Sequence, residues 1–86
     1  MPWSIRWTDQ ALRDLSGLDR TVARRIAAKL EQAAANPDHY FVRLVGSDDV
    51  KLRVGDYRVL AVLSHGEQVI IVERVDHRRR VYRRRP

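Results

Sequence analysis

The sequence contains no cysteine, which excludes a disulfide-stabilised scaffold, a thiol nucleophile and any zinc site with cysteine ligands. It also lacks an apolar run of the roughly 18 residues that a membrane-spanning helix needs. Met1-Pro2-Trp3 is not the start of a typical signal peptide. We therefore expect a soluble cytoplasmic protein with no membrane partner.

Motifs for metals and nucleotides are missing as well. The histidines His39, His65 and His77 are far apart in the sequence, and Asp48-Asp49 is more typical of a solvated turn than of a metal pair. No glycine-rich phosphate loop or dinucleotide fingerprint occurs, and no serine has the sequence context of a catalytic nucleophile. The sequence predicts neither a metal site nor a cofactor.

The composition is that of a small folded protein with an anionic partner. The 86 residues suffice for one domain, which we expect to span residues 1–86. With 44% hydrophobic and 33% charged residues, the chain is typical of a globular protein rather than a disordered one. The formal net charge is +6, and 15 of the 17 basic residues are arginines, which favours bidentate binding to phosphate.

The basic excess is concentrated at the end of the chain. Residues 1–72 carry nearly balanced charges, whereas residues 73–86 carry seven arginines against two acids. Such a run forms either a solvated tail or an electrostatic arm for nucleic acid, and both interpretations stay open for Arg78–Arg80. Nearer the terminus we expect a frayed, non-specific arm. The arginines predicted to bind RNA without a catalytic role are Arg79, Arg80, Arg83, Arg84 and Arg85.

Hydrophobic periodicity predicts an α+β fold with the order β-α-α-β-β-β. Alternating apolar residues indicate a strand at residues 3–7, and two helices are expected to begin after Thr8 and Asp19. A polar connection follows at residues 38–49. Three further strands are predicted at residues 50–54, 57–63 and 69–75. We expect the N-terminal helical hairpin to pack on one face of a small, mostly antiparallel sheet, with a solvated outer face on the second helix formed by Arg20, Arg24 and Arg25.

Gly55-Asp56 is typical of a two-residue hairpin turn, and such a turn fixes the register of the strands on either side. Lys51, Arg53 and Arg58 then fall on one face, with Arg53 directly opposite Arg58. Two opposed arginines repel each other unless an anion lies between them, so this pattern favours a phosphate-binding site. The alternative is a solvated open face on which Glu73 of the next strand pairs with Arg58.

These residue types suit one reaction in particular. Cleavage of RNA by attack of a ribose 2′-hydroxyl on the adjacent phosphate needs a base, positive charge for the phosphorane and an acid for the leaving 5′-oxygen. It needs no metal. The basic cluster supplies the charge, and His77 and Tyr82 are the groups near it with an obvious capacity for proton transfer.

The chain resembles the RelE family of bacterial and archaeal type II toxins, within the RelE/ParE superfamily. The matching segments are the first strand and helix (IRWTDQALRDLSGL), the hairpin (VKLRVGDYRVLAVL) and the end of the chain (IIVERVDHRRRVYRR). The resemblance implies a ribosome-dependent endoribonuclease that cuts mRNA in the ribosomal A site and is silenced by a RelB-type antitoxin. Two alternatives stay open: a ParE-like DNA gyrase inhibitor on the same fold, and a non-catalytic RNA-binding protein.

By matching position, the resemblance implies a role for each of five basic or aromatic residues. Lys51 and Arg53 correspond to the basic pair on the family's second strand, and Lys51 is the candidate base. Arg58 would stabilise the transition state. Arg78 corresponds to the arginine beyond the last strand and is the candidate acid. Tyr82 would stack on or orient the substrate base, or else act only as a hydrophobic anchor.

Two neighbours of Arg78 complete the expected site. His77 is a possible accessory group. Many relatives have glycine where this chain has Asp76, and an anion at that position would pair with Arg78 and either lower activity or orient the arginine.

Overall fold

The computed structural model describes residues 2–77, and the predicted site residues beyond His77 lie outside this range. The elements are β1 (Ser4–Trp7), α1 (Asp9–Ser16), α2 (Arg20–Ala33), α3 (Pro37–Tyr40), β2 (Val42–Arg43), β3 (Asp49–Val54), β4 (Tyr57–Ser64) and β5 (Val69–His77). The predicted α+β class and the order of the five main elements after β1 are confirmed.

Thr8 connects β1 to α1 and ties the helix to the sheet. Its hydroxyl oxygen accepts the N–H of Ala11 at 3.1 Å, as an N-cap does, and donates to the Glu73 carbonyl at 3.1 Å. Gly17 ends α1 as predicted. Asp19 occupies the N-cap position of α2, but its side chain makes no capping hydrogen bond.

The segment predicted as a polar connection contains two short elements. Pro37 begins the single turn of α3, where a proline at the first helical position is favourable because its missing N–H needs no partner. Val42 and Arg43 then pair with Lys51 and Val50 to form β2. Elements of four and two residues have too little periodicity to be seen in the sequence.

The five strands form one sheet in the order β1-β5-β4-β3-β2. β1 pairs in parallel with β5, and the other neighbours are antiparallel. The helices α1 and α2 pack on one face, here called the helix face, and the opposite face is the open face. Fully buried Ile26 and Leu30 of α2 meet apolar side chains of the helix face. The core residues contributed by the sheet are Val50, Leu52, Val54, Val59, Ala61, Ile70, Val72 and Val75.

A β-bulge interrupts the pairing of β4 with β5. Leu60 pairs with Arg74 and Ala61 pairs with Val72, so Glu73 is the extra residue of β5. The bulge shifts the alternation of β5 by one residue and thereby decides which charges reach the open face. Within residues 2–77, no helix is long and apolar enough to cross a membrane.

Candidate functional site

The β3–β4 turn sets the register of the open face as the sequence predicts. Gly55 has a φ of +59°, a conformation that glycine adopts without strain. Arg53 pairs with Arg58, and Lys51 pairs with Leu60. Because side chains alternate along each strand, Lys51, Arg53 and Arg58 share the open face, and this prediction of the register is confirmed.

The open face continues onto β5 with a second pair of charges. Asp76 lies directly across from Arg58, so one row of the sheet reads Arg53, Arg58, Asp76. The next row reads Lys51, Leu60, Arg74. Arg58 therefore has a cation on one side and a carboxylate on the other.

Asp76 is 7% exposed and is held by nearby donors. Its Oδ1 accepts the His77 N–H at 2.8 Å, and its Oδ2 lies 3.8 Å from Arg74 Nη2. The sequence left open whether Glu73 pairs with Arg58. The bulge answers this, because it brings Asp76 rather than Glu73 into register with Arg58.

Glu73 instead forms a hydrogen-bonded carboxyl pair with Asp49. Burial raises the pKa of Glu73, and the negative charge of Asp49 and the hydrogen bond between the two side chains raise it further. Asp49 is the first residue of β3, two positions before Lys51, and therefore lies on the open face beside the basic cluster.

Arg74 is anchored by a carboxylate of α1. Its Nε donates to Asp14 Oδ2 at 2.9 Å, and the same oxygen accepts the Val75 N–H at 2.9 Å. Burial alone would raise the pKa of Asp14, but the hydrogen bonds from Val75, Arg74 and Gln10 outweigh it and lower that pKa. The pairing of β1 with β5 ends at Val72. The N–H of Val75 lies beyond this end, and it donates to Asp14 instead of to a neighbouring strand.

The structure separates His77 from the basic cluster. His77 pairs with Tyr57, and the side chains of both residues lie on the helix face rather than the open face. Their two rings meet edge to face, with centroids 5.2 Å apart. This position gives no support to the accessory role predicted for His77. The other predicted members of the site, which lie outside the described residues, are Arg78, Arg79, Arg80, Tyr82, Arg83, Arg84 and Arg85.

Two charged residues near the cluster, Asp49 and Arg74, were not predicted from the sequence to belong to it. Asp49 was assigned to a solvated turn, although its spacing of two from Lys51 and four from Arg53 is the signal that places it on the same face. Arg74 carries no such signal, because its place in the row of Lys51 and Leu60 depends on a bulge that the sequence does not mark. Together with Asp76 and Glu73, which were considered from the sequence, they add carboxylates and a further cation to the basic cluster.

The arrangement is suited to binding a phosphate. Two arginines face each other and a lysine lies two residues away on the same strand, which offers several charge-assisted donors to one anion. Within residues 2–77, no group of three or more potential metal ligands lies close enough together to hold an ion. The other charged side chains that share this face with the two arginines include Lys51, Asp49 and Asp76.

Comparison with known proteins identifies a family. The model of a family described as "ParE toxin of type II toxin-antitoxin system, parDE" matches residues 5–82. No curated protein matches the sequence at a significant level.

Several solved structures share the fold. The structure of the RelBE2 toxin–antitoxin complex of Mycobacterium tuberculosis matches with a TM-score of 0.75 and 27% identity, covering 91% of this chain and 100% of that one. The intact Escherichia coli RelBE toxin–antitoxin complex matches with a TM-score of 0.74 and 24% identity, covering 87% and 95%. The chromosomal ParDE system of Pseudomonas aeruginosa matches with a TM-score of 0.69 and 16% identity, also covering 87% and 95%. The last two similarities show the fold alone.

Proposed function

The chain belongs to the ParE family of toxins from type II toxin–antitoxin systems, within the RelE/ParE superfamily, and from the basic cluster on its open face we propose that it is a ribosome-dependent endoribonuclease. In this proposal it cleaves mRNA in the ribosomal A site in the cytoplasm and so inhibits translation. Its other partner is a cognate RelB-type antitoxin, by analogy with the toxin–antitoxin complexes that share its fold.

The observation that carries the proposal is the pairing of Arg53 with Arg58 on the open face, beside Lys51. Opposed like charges on a ladder destabilise a sheet, whereas a phosphate bound between them turns the repulsion into attraction. A protein that only needed a stable hairpin gains nothing from this pattern. Asp76 across from Arg58 offsets part of the repulsion, and the positive charge left on Arg53 and Lys51 favours an anionic ligand such as a phosphodiester.

The proposed reaction is internal transesterification. The ribose 2′-oxygen forms a bond to phosphorus, the bond from phosphorus to the 5′-oxygen breaks, and the products are a 2′,3′-cyclic phosphate and a 5′-hydroxyl. Lys51 is the candidate base for the proton of the 2′-hydroxyl, and Arg53 and Arg58 are the candidates that stabilise the phosphorane. Arg78 is the candidate donor to the 5′-oxygen, and Tyr82 is the candidate contact to the base.

Three observations favour gyrase inhibition as a second candidate function. The family whose model matches is described as ParE, and the Pseudomonas aeruginosa ParDE system shares the fold. In addition, the open face carries Asp49, Glu73 and Asp76, which reduce its attraction for RNA. A toxin that inhibits an enzyme by binding needs no proton transfer at this face.

Primer extension on a message translated with the purified protein separates the two functions. We expect the wild type to cut the message, and the double variant Arg58→Ala plus Arg78→Ala to leave it intact. A supercoiling assay with DNA gyrase is the parallel measurement. An uncut message together with inhibited supercoiling would contradict the ribonuclease, whereas cutting that persists in the double variant would contradict only the assignment of the site.

A further inference from the structure

A shallow groove of about 360 Å³ lies between α2 and the β3–β4 turn, next to the open face. Three cationic side chains line it: Arg25 and Lys29 from α2, and Arg53 from β3. The other lining residues are uncharged. The prediction that Arg25 belongs to a solvated helix face is therefore incomplete, because this side chain is exposed but borders the turn.

Local contacts hold the three cations around the groove. Arg53 Nε donates to the Gly55 carbonyl at 3.4 Å, and Arg25 Nη1 lies 3.8 Å from the position that a Cβ on Gly55 would take. Lys29 Nζ lies 5.2 Å from the centre of the Tyr40 ring, within range of a cation–π contact. The hydrogen bond orients Arg53 and the ring contact orients Lys29, while Arg25 lies close to the turn, and none of these neighbours is an acid.

Among the described residues, no carboxylate lines this groove. In the part of the chain that the structure describes, no salt bridge joins Arg25, Lys29 or Arg53 to an acidic side chain. Asp56 borders an adjoining groove of about 220 Å³ that shares Arg25, but it is not among the residues that line the larger one. Three neighbouring cations without a counter-charge repel one another, and a bound anion would remove that cost.

We propose that Arg25 and Lys29, together with Arg53, bind a backbone phosphate of the RNA outside the nucleotide that reacts. This inference rests on the proposed function. Arg53 belongs both to the open face, opposite Arg58, and to the groove, so the two sites are continuous. An RNA strand that passes over the β3–β4 turn reaches the groove directly from the open face.

The chemistry of the groove favours RNA over a protein segment. A bound peptide draws most of its affinity from apolar or aromatic anchors in a pocket. Ala28 and Val54 are the apolar residues among those that line the groove, and the small Ala28 and the buried Val54 form no pocket for a large apolar anchor. A phosphodiester needs only charge-assisted donors, which the three cations supply.

The test compares two double variants that lose the same charge from the same helix. Arg25→Gln plus Lys29→Gln removes two cations of the groove, and Arg20→Gln plus Arg24→Gln removes two exposed arginines that do not line it. The probe is a single-stranded RNA oligonucleotide, 2′-O-methylated so that it is not cut. Its dissociation constant is measured by fluorescence anisotropy at several salt concentrations.

The groove variant is expected to bind about tenfold more weakly than the wild type, and the control within about twofold. The slope of log affinity against log salt should become shallower by about 0.7 for each phosphate that the protein no longer neutralises. Should the groove variant not fold, Ala28→Glu tests the same claim, because it places an anion in the groove at an exposed helical position. It is also expected to weaken binding.

Cleavage of a message on ribosomes is measured in parallel. A failure of the groove proposal can then be distinguished from a failure of the proposed ribonuclease function. Selective loss of RNA binding by the groove variant supports the groove even if the wild type cuts nothing. Equal binding by both double variants overturns the groove, and cleavage by the wild type in that case leaves the proposed function intact. Loss of affinity for the antitoxin with unchanged RNA binding also overturns the assignment to RNA.

Discussion

Arg53 and Arg58 lie directly opposite each other across the β3–β4 ladder, on the face of the sheet that the helices leave uncovered. Since opposed like charges destabilise a ladder, Arg53→Gln is expected to leave the free energy of unfolding unchanged or to raise it by about 0.2–1 kcal/mol. The same substitution should slow cleavage of the message about tenfold or more, because it removes charge next to the phosphorane. Urea unfolding and a cleavage time course check the two effects.

Arg43→Gln is the matched control for this prediction, since Arg43 is exposed and pairs with Val50, outside the basic rows of the open face. Arg43→Gln should change neither the free energy of unfolding nor the rate of message cleavage appreciably. If Arg53→Gln lowered stability and left cleavage unchanged, Arg53 would be a structural residue and not part of the site.

The carboxylate of Asp14 supports the fold by accepting the Val75 N–H and Arg74 Nε, each at 2.9 Å. Asp14→Asn removes the charge from both hydrogen bonds and should destabilise the protein by about 1–3 kcal/mol. The substitution should also remove part of the decrease in the free energy of unfolding that the wild type shows at low pH. A lowered pKa in the folded state means that the stability from Asp14 is present above the ordinary pKa of about 3.9 and is lost as the pH falls through the folded value.

Asp19→Asn makes a suitable comparison for Asp14→Asn. It causes the same loss of charge at an exposed N-cap whose side chain makes no capping hydrogen bond. Its free energy of unfolding and its pH profile should stay close to those of the wild type. Equal effects of the two substitutions would show that Asp14 does not support β5.

The hydrogen-bonded pair of Glu73 and Asp49 should have the opposite pH dependence. Because the pKa of Glu73 is raised in the folded state, its contribution to stability is fully present below the ordinary value of about 4.3 and is lost as the pH rises through the folded value. Because glutamine does not ionise, the stability of the Glu73→Gln variant should not fall in this way as the pH rises. At neutral pH we expect it to be more stable than the wild type by a few tenths of a kcal/mol.

Free energies of unfolding of the wild type and Glu73→Gln, measured between pH 4 and pH 8, test this prediction. The difference between the two curves should grow with pH. Parallel curves would show that Glu73 and Asp49 do not interact in the folded protein. Glu67→Gln, at an exposed turn position, controls for the loss of a carboxylate elsewhere.

The β3–β4 turn depends on the left-handed conformation of Gly55, whose φ is +59°. Gly55→Ala is expected to destabilise the protein by about 1–2 kcal/mol, because alanine is strained at positive φ. Gly66→Ala is the control, since Gly66 has no positive φ and no neighbour within 4 Å of an added Cβ. Chemical denaturation of the two variants decides the point, and equal stabilities would exclude a strained turn.

The sequence predicted the β3–β4 hairpin well because its register depends on local chemistry. A two-residue turn leaves one way to pair the flanking strands, so the alternation of Lys51, Arg53 and Arg58 with buried residues could be read directly. The capping of α1 by Thr8 is equally local. Features of this kind depend on residues close together in the chain.

The β5 side of the site could not be predicted, because it depends on long-range pairing. The turn between Ser64 and Val69 does not determine a register, and no residue type marks Glu73 as a bulge. The sequence therefore left open whether Glu73 or another residue meets Arg58. The parallel pairing of β1 with β5 is likewise a tertiary contact between distant segments.

Whether the open face cleaves RNA is tested by the rate of message cleavage on ribosomes, measured for two charge-matched double variants. Arg53→Gln plus Arg58→Gln changes the open face, and Arg20→Gln plus Arg24→Gln changes the exposed side of α2. The wild type and the α2 variant should cut at similar rates and leave 2′,3′-cyclic phosphate ends, and the open-face variant should be slower by about 100-fold or more. Cleavage by the open-face variant at the rate of the α2 variant would contradict the account.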